Sequence, residues 1–357
     1  NESAAQPVVQ RGCMARSIKA GAIVLLALIV AGMAGWATLW LWLSPLPNEL
    51  LRTALAAVFV LGTLIAFIFF KRRWRTLAVF VVVFAGMVAW YYAIPPSNDR
   101  IWDPSVAVLP SASINGDLVT IRNIRNFDYR TATDFTERYY DRTFDLNKLE
   151  SVDFMSITWG MESIAHVIVS FGFGGEDFVA FSIEMRNQKG EESSMVMSFF
   201  RQYELIFIAA DERDVIRLRT NFREPREIVE LYRVRMPTEN ARKLFLSYVE
   251  KVDSLSKTPE WYNTLETNCT TGVLHRVESY NKKAHYNWMI LLSGYTADYL
   301  YDIGAIDTSM PFAELKKISL INPKSEAITD LTNYSEEIRQ GLPMPKPLTM
   351  EEWRAMK

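Results

Sequence analysis

Three long apolar runs fill most of the first hundred residues and constrain this 357-residue chain more than any other feature. They are Ala20–Leu43, Leu51–Phe70 and Thr76–Ile94, each of 19 to 24 residues. About 20 apolar helical residues cross the hydrocarbon core of a bilayer. The first run is too long for a cleaved signal peptide, and two more runs follow it. We therefore expect three transmembrane helices.

Basic residues predict the orientation of these helices, because cytoplasmic loops carry an excess of Lys and Arg. The tail 1–19 holds three basic residues and the turn 71–75 holds four, whereas the turn 44–50 holds none. Aromatic residues close the first and third runs at the opposite side, as is typical of a membrane interface: Trp40, Trp42, Trp90, Tyr91 and Tyr92. The sequence thus predicts a multi-pass protein of a bacterial inner membrane, with a cytoplasmic N-terminus and a periplasmic soluble part.

Composition divides the chain into five segments. We expect a cytoplasmic tail (1–19), a three-helix anchor (20–95), a proline-rich linker (96–116), a periplasmic catalytic domain (117–310) and a C-terminal extension (311–357). The soluble part is long enough for one sizeable core. The net charge of −2, without a large basic stripe, argues against a nucleic-acid partner.

The soluble part predicts an α+β domain. The runs 166–173 and 178–185 are rich in β-branched and aromatic residues and flank Gly174-Gly175, which predicts a hairpin. Helical spacing predicts a helix over Thr238–Leu255, and the tail from Asn322 is expected to be irregular. Further strands are expected at 117–123, 195–200, 203–208, 215–219 and 228–235, and further helices after Cys269 and over His285–Ile303.

Cys269 is the leading candidate for chemistry. With the predicted orientation it is the lone thiol on the oxidising side, where cysteines usually form disulfides, because Cys13 lies in the cytoplasmic tail. An odd cysteine there indicates intermolecular pairing or a reactive thiol. The alternative is a small buried residue, which is common for free cysteine.

A reactive thiolate needs a base or a positive field to lower its pKa. The chain has three histidines. His275 follows Cys269 by six residues on the same expected helix and points to another face, and His285 lies beyond the expected helix end. His166 opens a strand far upstream, so the fold can bring it opposite Cys269. We favour His166 as the base; a histidine merely hydrogen-bonded at a strand end is the alternative.

The neighbouring strand offers a group that orients the imidazole. Ser182 and Glu184 share one face, because strand residues alternate with period two. Glu184 is the preferred acceptor for the imidazole N–H, with Ser182 as possible support. An ordinary ion pair with Arg186 or another surface group is the alternative for Glu184. The acidic cluster 211–214 either serves this site or is a salt-bridged turn, and we favour the turn.

Residues next to Cys269 suit a nucleophile. Asn268 and Thr270 flank the thiol as possible support, and Asn268 is placed to cap a helix that starts at Thr270. A helix N-terminus favours a thiolate and supplies backbone N–H groups for an oxyanion. One cysteine and three scattered histidines show no zinc-ligand spacing, and residues 172–175 lack the full phosphate-loop pattern. No metal or cofactor is expected.

These residues resemble a known family. The order His166, Glu184, Asn268-Cys269 is similar to that of circularly permuted papain-like (NlpC-type) cysteine enzymes, in which the histidine precedes the cysteine. The runs at 165–173, 181–184, 211–214, 262–264 and 268–271 more specifically resemble the Lnb N-terminal periplasmic domain family, over roughly residues 120–310. The combination of the Asn-Cys-Thr-Thr motif with the upstream histidine is fairly specific, and the other matches are softer.

This resemblance implies a lipoprotein N-acyltransferase. Such an enzyme would move an acyl chain from a phospholipid, through a thioester on Cys269, to the α-amino group of a diacylglyceryl-modified apolipoprotein. It also implies a permuted papain-like domain with an antiparallel sheet and a helix that bears the cysteine. These are expectations from the resemblance, and composition does not show them.

Two other functions remain open. A periplasmic cysteine peptidase or amidase acting on cell-wall peptides would use the same dyad. An open, polar groove beside Cys269 would favour it, whereas an apolar slot continuous with the bilayer would favour acyl transfer. A non-catalytic envelope scaffold would instead bury Cys269 away from His166.

Overall fold

The computed structural model describes residues 6–264, 269–278 and 286–355. The chain divides into two compact units, residues 1–95 and 96–357. Helices α1 (Gln6–Leu43), α2 (Glu49–Phe69) and α3 (Arg73–Ala93) form the first unit. By length and composition they contain three candidate membrane spans, Ser17–Leu43, Glu49–Phe69 and Arg73–Ala93. The expected apolar helices are thus present at the predicted places.

The first unit has an aromatic end. Trp40 packs edge-on against Trp90 and Tyr91, with ring centroids 5.4 and 5.0 Å apart. Asn48 caps α2, because its side chain accepts a hydrogen bond from the Leu51 N–H at 3.1 Å. These contacts join the ends of α1 and α3 and fix the start of α2.

The second unit is built on an eight-stranded mixed sheet. Its order is β1-β2-β9-β8-β7-β6-β10, with β5 also paired to β2, and all neighbours are antiparallel except β2 and β9. A separate small ribbon joins β3 to β4. The strands are β1 (Ser111–Asn115), β2 (Leu118–Arg125), β3 (Asp128–Tyr129), β4 (Phe135–Thr136), β5 (Tyr139–Asp145), β6 (Leu149–Trp159), β7 (Met161–Phe173), β8 (Asp177–Arg186), β9 (Glu204–Ala210) and β10 (Ile228–Arg233). The predicted α+β class is confirmed.

Helices cover both faces of this sheet. They are α4 (Glu212–Arg217), α5 (Thr238–Lys257), α6 (Cys269–Glu278), α7 (Trp288–Leu291), α8 (Thr296–Asp302), α9 (Phe312–Ser319), α10 (Asn322–Ala327), α11 (Tyr334–Glu337) and α12 (Met350–Ala355). Side chains alternate along a strand, so odd- and even-numbered residues of β7 enter different cores.

We call one side the apolar face. Val167, Val169 and Phe171 of β7 pack there against α5, whose buried residues recur every three or four positions. The opposite side, here the charged face, carries His166, Ile168 and Ser170 and is covered by α4, α10 and α11. The same strands therefore present apolar side chains to one face, and polar side chains such as His166 and Ser170 to the other.

The predicted hairpin and α5 are confirmed. β7 and β8 pair in the register Ile168 to Ser182, and Gly174 and Gly175 both take positive φ in the turn. Glycine adopts such angles without steric cost. The segment 96–116 ends in β1, which pairs with β2, and the C-terminal segment buries Tyr334 and Ile338 in the core of the charged face.

Two predicted strands are wrong. Residues 195–200 end in a 3₁₀-helix, Met197–Phe200. Residues 215–219 belong to α4 and to a π-helical turn, Leu218–Phe222. The Asp211 side chain caps α4 by accepting from the Arg213 N–H at 3.1 Å. A short apolar run does not distinguish a strand from a buried helix. For residues 215–219, the Asp211 cap favours the helix.

The helix predicted over 285–303 is also wrong as one element. The chain forms α7, a 3₁₀-turn at Ser293–Tyr295 and α8; His285 lies outside the described residues. Gly294 packs so close to the backbone of Glu162 that no Cβ fits there. The tail from Asn322, expected to be irregular, contains α10, α11 and α12, although the proline-rich part 343–347 is irregular.

Candidate functional site

The site is built where β7 and β8 separate. Their last paired residues are Ile168 and Ser182. Beyond this pair β7 continues back to Met161 along β6, and β8 continues to Arg186 along β9. His166 and Glu184 lie at the opening between the two strands. Because both have the parity of Ile168 and Ser182, their side chains lie on the charged face.

The structure brings His166, Ser182 and Glu184 together. His166 Nε2 lies 2.7 Å from Ser182 Oγ and 3.1 Å from Glu184 Oε1. Ser182 Oγ in turn donates to Glu184 Oε1 at 2.6 Å. A carboxylate only accepts, so in a neutral imidazole the network assigns the proton to His166 Nε2. That tautomer is the one a general base needs if the substrate proton arrives at Nδ1.

Arg219 completes this cluster and was not predicted. It lies on the π-helical turn, and its Nη2 donates to Glu184 Oε1 at 2.8 Å. Its Nη1 donates to both oxygens of Glu227 at 3.2 Å. Arg219 and Glu227 are both almost fully buried. The Glu184 carboxylate next to His166 is therefore held by the guanidinium of Arg219, and Glu227 holds that guanidinium in turn.

Electrostatics keep Glu184 ionised. Burial by itself would raise the pKa of Glu184, but His166, Arg219 and the hydrogen bonds from His166 and Ser182 hold that pKa well below its ordinary value. Burial would likewise lower the pKa of Arg219, yet Glu184 and Glu227 raise it. The predicted alternative partner of Glu184, Arg186, instead donates to the backbone and to Asn98.

Cys269 is the first residue of α6, so its backbone begins a helix near where the sequence predicts one. Its side chain, and all of Asn268, lie outside the described part of the structure. Thr270, the third supporting residue, is buried in the first turn. The pairing of Cys269 with His166 and the capping by Asn268 therefore stay predictions.

Helix α6 packs across the strands that carry His166 and Glu184. It contacts both β7 and β8. Gly272 lies against Ile183, where an added Cβ would be 2.7 Å from the Ile183 Cδ1 atom. Ile183 belongs to the apolar face, so α6 lies on that side of the sheet.

An apolar cavity of about 80 Å³ lies beside the first turns of α6. It is bounded by α6, α7, α8 and the apolar face of the sheet, and its lining includes Thr270, Val273, Val277, Ile290, Leu300 and Val169. Two buried polar atoms of the lining, Thr296 Oγ1 and Trp353 Nε1, have no hydrogen-bond partner among the described residues. Among the described residues, none that lines this cavity has a charged side chain.

The acidic cluster 211–214 makes structural contacts. Glu212 accepts from Arg339 and from Ser170 at 2.6 and 2.5 Å, and Asp214 accepts from Arg125 at 2.8 Å. These pairings favour the interpretation as a salt-bridged turn. Within residues 6–264, 269–278 and 286–355, no group of three or more His, Cys, Asp or Glu side chains is arranged to hold a metal ion.

Comparisons with known proteins give one match. Neither the curated proteins nor the solved structures contain a match to the chain. A family model described as Lnb N-terminal periplasmic domain matches residues 135–296, a range that includes His166, Ser182, Glu184 and Cys269. With the three apolar helices that precede it, this match fits an inner-membrane protein with a periplasmic domain. It supports the assignment of the segment 135–296 to the Lnb type.

Proposed function

We propose that this protein is a membrane-anchored lipoprotein N-acyltransferase whose nucleophile is Cys269. It would take an acyl chain from a phospholipid at the periplasmic surface and transfer it to the α-amino group of a diacylglyceryl-modified lipoprotein. The N-terminus would lie in the cytoplasm, and the three apolar helices would cross the inner membrane. The family match supports the Lnb type, and the site geometry is compatible with acyl transfer through a thiol.

One observation carries the choice of acyl transfer over peptide hydrolysis. The described lining of the cavity beside Thr270, the residue after Cys269, is apolar apart from the hydroxyls of Thr270, Thr296 and Tyr299 and the Trp353 indole. The polar groups of a cell-wall peptide would find few hydrogen-bond partners against such walls. An acyl chain instead gains about 25 cal/mol per Å² of apolar surface removed from water. A cavity of 80 Å³ is about half the ~150 Å³ that accommodates benzene. It would receive part of a chain, not all of it.

The first half of the reaction would form a thioester. His166 Nδ1 accepts the proton of the Cys269 thiol, and the thiolate attacks the ester carbonyl of the phospholipid. Backbone N–H groups at the start of α6 stabilise the oxyanion, since a helix N-terminus leaves such donors unpaired. The C–S bond forms, the C–O bond breaks, and the imidazolium protonates the departing lysophospholipid alkoxide.

The second half would form the amide. The α-amino group of the lipoprotein attacks the thioester carbonyl, a C–N bond forms, and the C–S bond breaks. The proton lost by the amine goes through His166 to the Cys269 sulfur. Ser182 and Glu184 keep the imidazole oriented in both halves, and Arg219 holds the Glu184 carboxylate in place.

The test is the mass of a lipoprotein N-terminal peptide from cells that depend on this protein. Wild type should add one acyl chain to the diacylated N-terminus, and Cys269→Ala should add none. Cys13→Ala, the substitution of the other cysteine, should behave as wild type. Full acylation by Cys269→Ala would overturn the mechanism. Release of cell-wall peptides by wild type, without acylation, would favour the peptidase.

A further inference from the structure

Helix α7 exposes large apolar side chains. Trp288 and Leu291 are each 56% exposed, and Tyr286 just before the helix is 48% exposed. Ile290, between Trp288 and Leu291, is only 4% exposed and lines the apolar cavity. The same short helix therefore has one side in the interior and an uncovered apolar side.

A second element adds to this surface. The β6–β7 hairpin exposes Trp159 and Met161 at its tip. The Ala165 N–H donates to Ser293 Oγ at 2.8 Å, and Gly294 packs on the backbone of Glu162. Met161 is one strand residue, about 3.3 Å, from Glu162, so the tip lies next to the chain that follows α7.

These six exposed residues are here called the lipid-contact patch: Trp159, Met161, Tyr286, Trp288, Leu291 and Leu292. A soluble surface rarely collects so many large apolar side chains in adjoining elements, and such patches mark contact with a protein or a membrane. Two tryptophans and a tyrosine among aliphatic side chains are typical of the membrane–water interface. A bilayer is also the partner that three candidate spans keep within reach.

We propose that the lipid-contact patch inserts into the interfacial layer of a phospholipid bilayer. Glu162, exposed beside Met161, sets the depth, because a carboxylate stays at headgroup level. Burial of the patch removes its apolar surface from water, which is the driving force for interfacial binding. Insertion would also bring α7, which lines the cavity through Ile290, to the source of acyl chains; that last consequence rests on the proposed function.

The test uses the full chain in lipid nanodiscs, with Cys13→Ser and Cys269→Ala to remove native thiols. Leu291→Cys carries a polarity-sensitive fluorophore. The matched control is Ser113→Cys, which carries the same label at an exposed position on the edge strand β1. The label at 291 should emit at shorter wavelength, and doxyl-labelled phospholipid should quench it at least threefold more than the label at 113. A water-soluble quencher should give the reverse order.

Equal quenching of the two labels by doxyl lipid would overturn the proposal. So would shielding of residue 291 that persists in lipid-free detergent and grows with protein concentration, because that result indicates contact between copies of the chain. The readout does not require catalysis, so it holds even where no acyl transfer is found. Lipid contact without acyl transfer would reject the proposed function alone.

Discussion

The two faces of the sheet in residues 96–357 are stabilised in different ways. The apolar face packs rings against rings: the Phe245 centroid lies 5.1 Å from those of Phe171 and Phe173. On the charged face, carboxylates hold three of the buried arginines among the described residues: Arg125 by Asp214, Arg219 by Glu184 and Glu227, and Arg339 by Asp153 and Glu212. Apolar burial has no preferred direction, whereas each charged pair fixes the position of its partners.

This difference separates two tasks of the proposed site. The face that binds apolar groups contains a cavity and helix α6, while the face that orients a base holds Glu184 in a network of fixed geometry. Buried pairs contribute little net stability but are costly to break one partner at a time. We therefore expect substitutions on the two faces to be distinguishable in activity, unfolding and pH dependence.

The largest expected effect is that of His166→Asn on acyl transfer. Loss of a general base typically costs about 10²- to 10⁴-fold in rate. The rate of lipoprotein acylation, measured with purified protein in nanodiscs, should fall by this factor while the unfolding midpoint stays close to wild type. His285→Asn is the matched control and should retain the wild-type rate. Normal turnover by His166→Asn would show that the side chains of the charged face take no part in the reaction.

Next in size is the break of one buried pair on the charged face. Arg125→Met leaves Asp214, which is fully buried, without its guanidinium. We expect a loss of about 3–5 kcal/mol in the free energy of unfolding. The double variant Arg125→Met/Asp214→Asn should lose less than the sum of the two single variants, by about 0.5–3 kcal/mol. Additive losses in chemical denaturation would show that the pair is not coupled.

A smaller effect is expected on the apolar face. Val273→Phe places a ring in the cavity beside α6. Transfer from long-chain phospholipids should fall about tenfold in kcat/KM relative to short-chain donors, since a few methylenes are worth that much in an apolar pocket. Overpacking should cost about 1–3 kcal/mol of stability. Val108→Phe, at an exposed position, is the control. An equal loss for all chain lengths would place the acyl chain elsewhere.

The smallest expected effect is on acid stability. The folded pKa of Glu184 lies below its unfolded value of about 4.3, so its contribution is complete above that pH and is lost as pH falls through the folded pKa. The free energy of unfolding of Glu184→Gln should therefore depend less steeply on pH below about pH 4.3. The difference in slope from wild type should be at most ~1.4 kcal/mol per pH unit. Glu176→Gln, at an exposed turn, should follow wild type. Identical slopes for all three proteins would contradict the assigned ion pair.

The sequence predicts the parts of the site that regular alternation controls. Period-two spacing places Ser182 and Glu184 on one side of β8, and the Gly174-Gly175 turn pairs that strand with the one that carries His166. Arg219 is missed because residues 215–219 resemble a strand. The signal for the correct answer is Asp211 followed by an acidic first turn, which is typical of a helix start.

Long-range partners are not encoded in local pattern. Arg339 lies in a segment expected to be irregular, yet it donates to Asp153, 186 residues away, at 2.8 Å. The depth at which a cation is buried depends on how distant segments pack, and no spacing rule reveals it. For the same reason the cavity beside α6, to which α5, α6, α7, α8, α12 and the sheet all contribute, appears only in the folded chain.

The central claim is that Cys269 carries the acyl group. Its most direct test is the intact mass of the full chain after incubation with phospholipid alone, without a lipoprotein acceptor. Wild type should gain the mass of one acyl chain, neutral hydroxylamine should remove it, and fragmentation should place it on Cys269; Cys13→Ala should do the same. Cys269→Ala that gains the same adduct, or a wild type that acylates lipoprotein without ever forming it, would contradict the account.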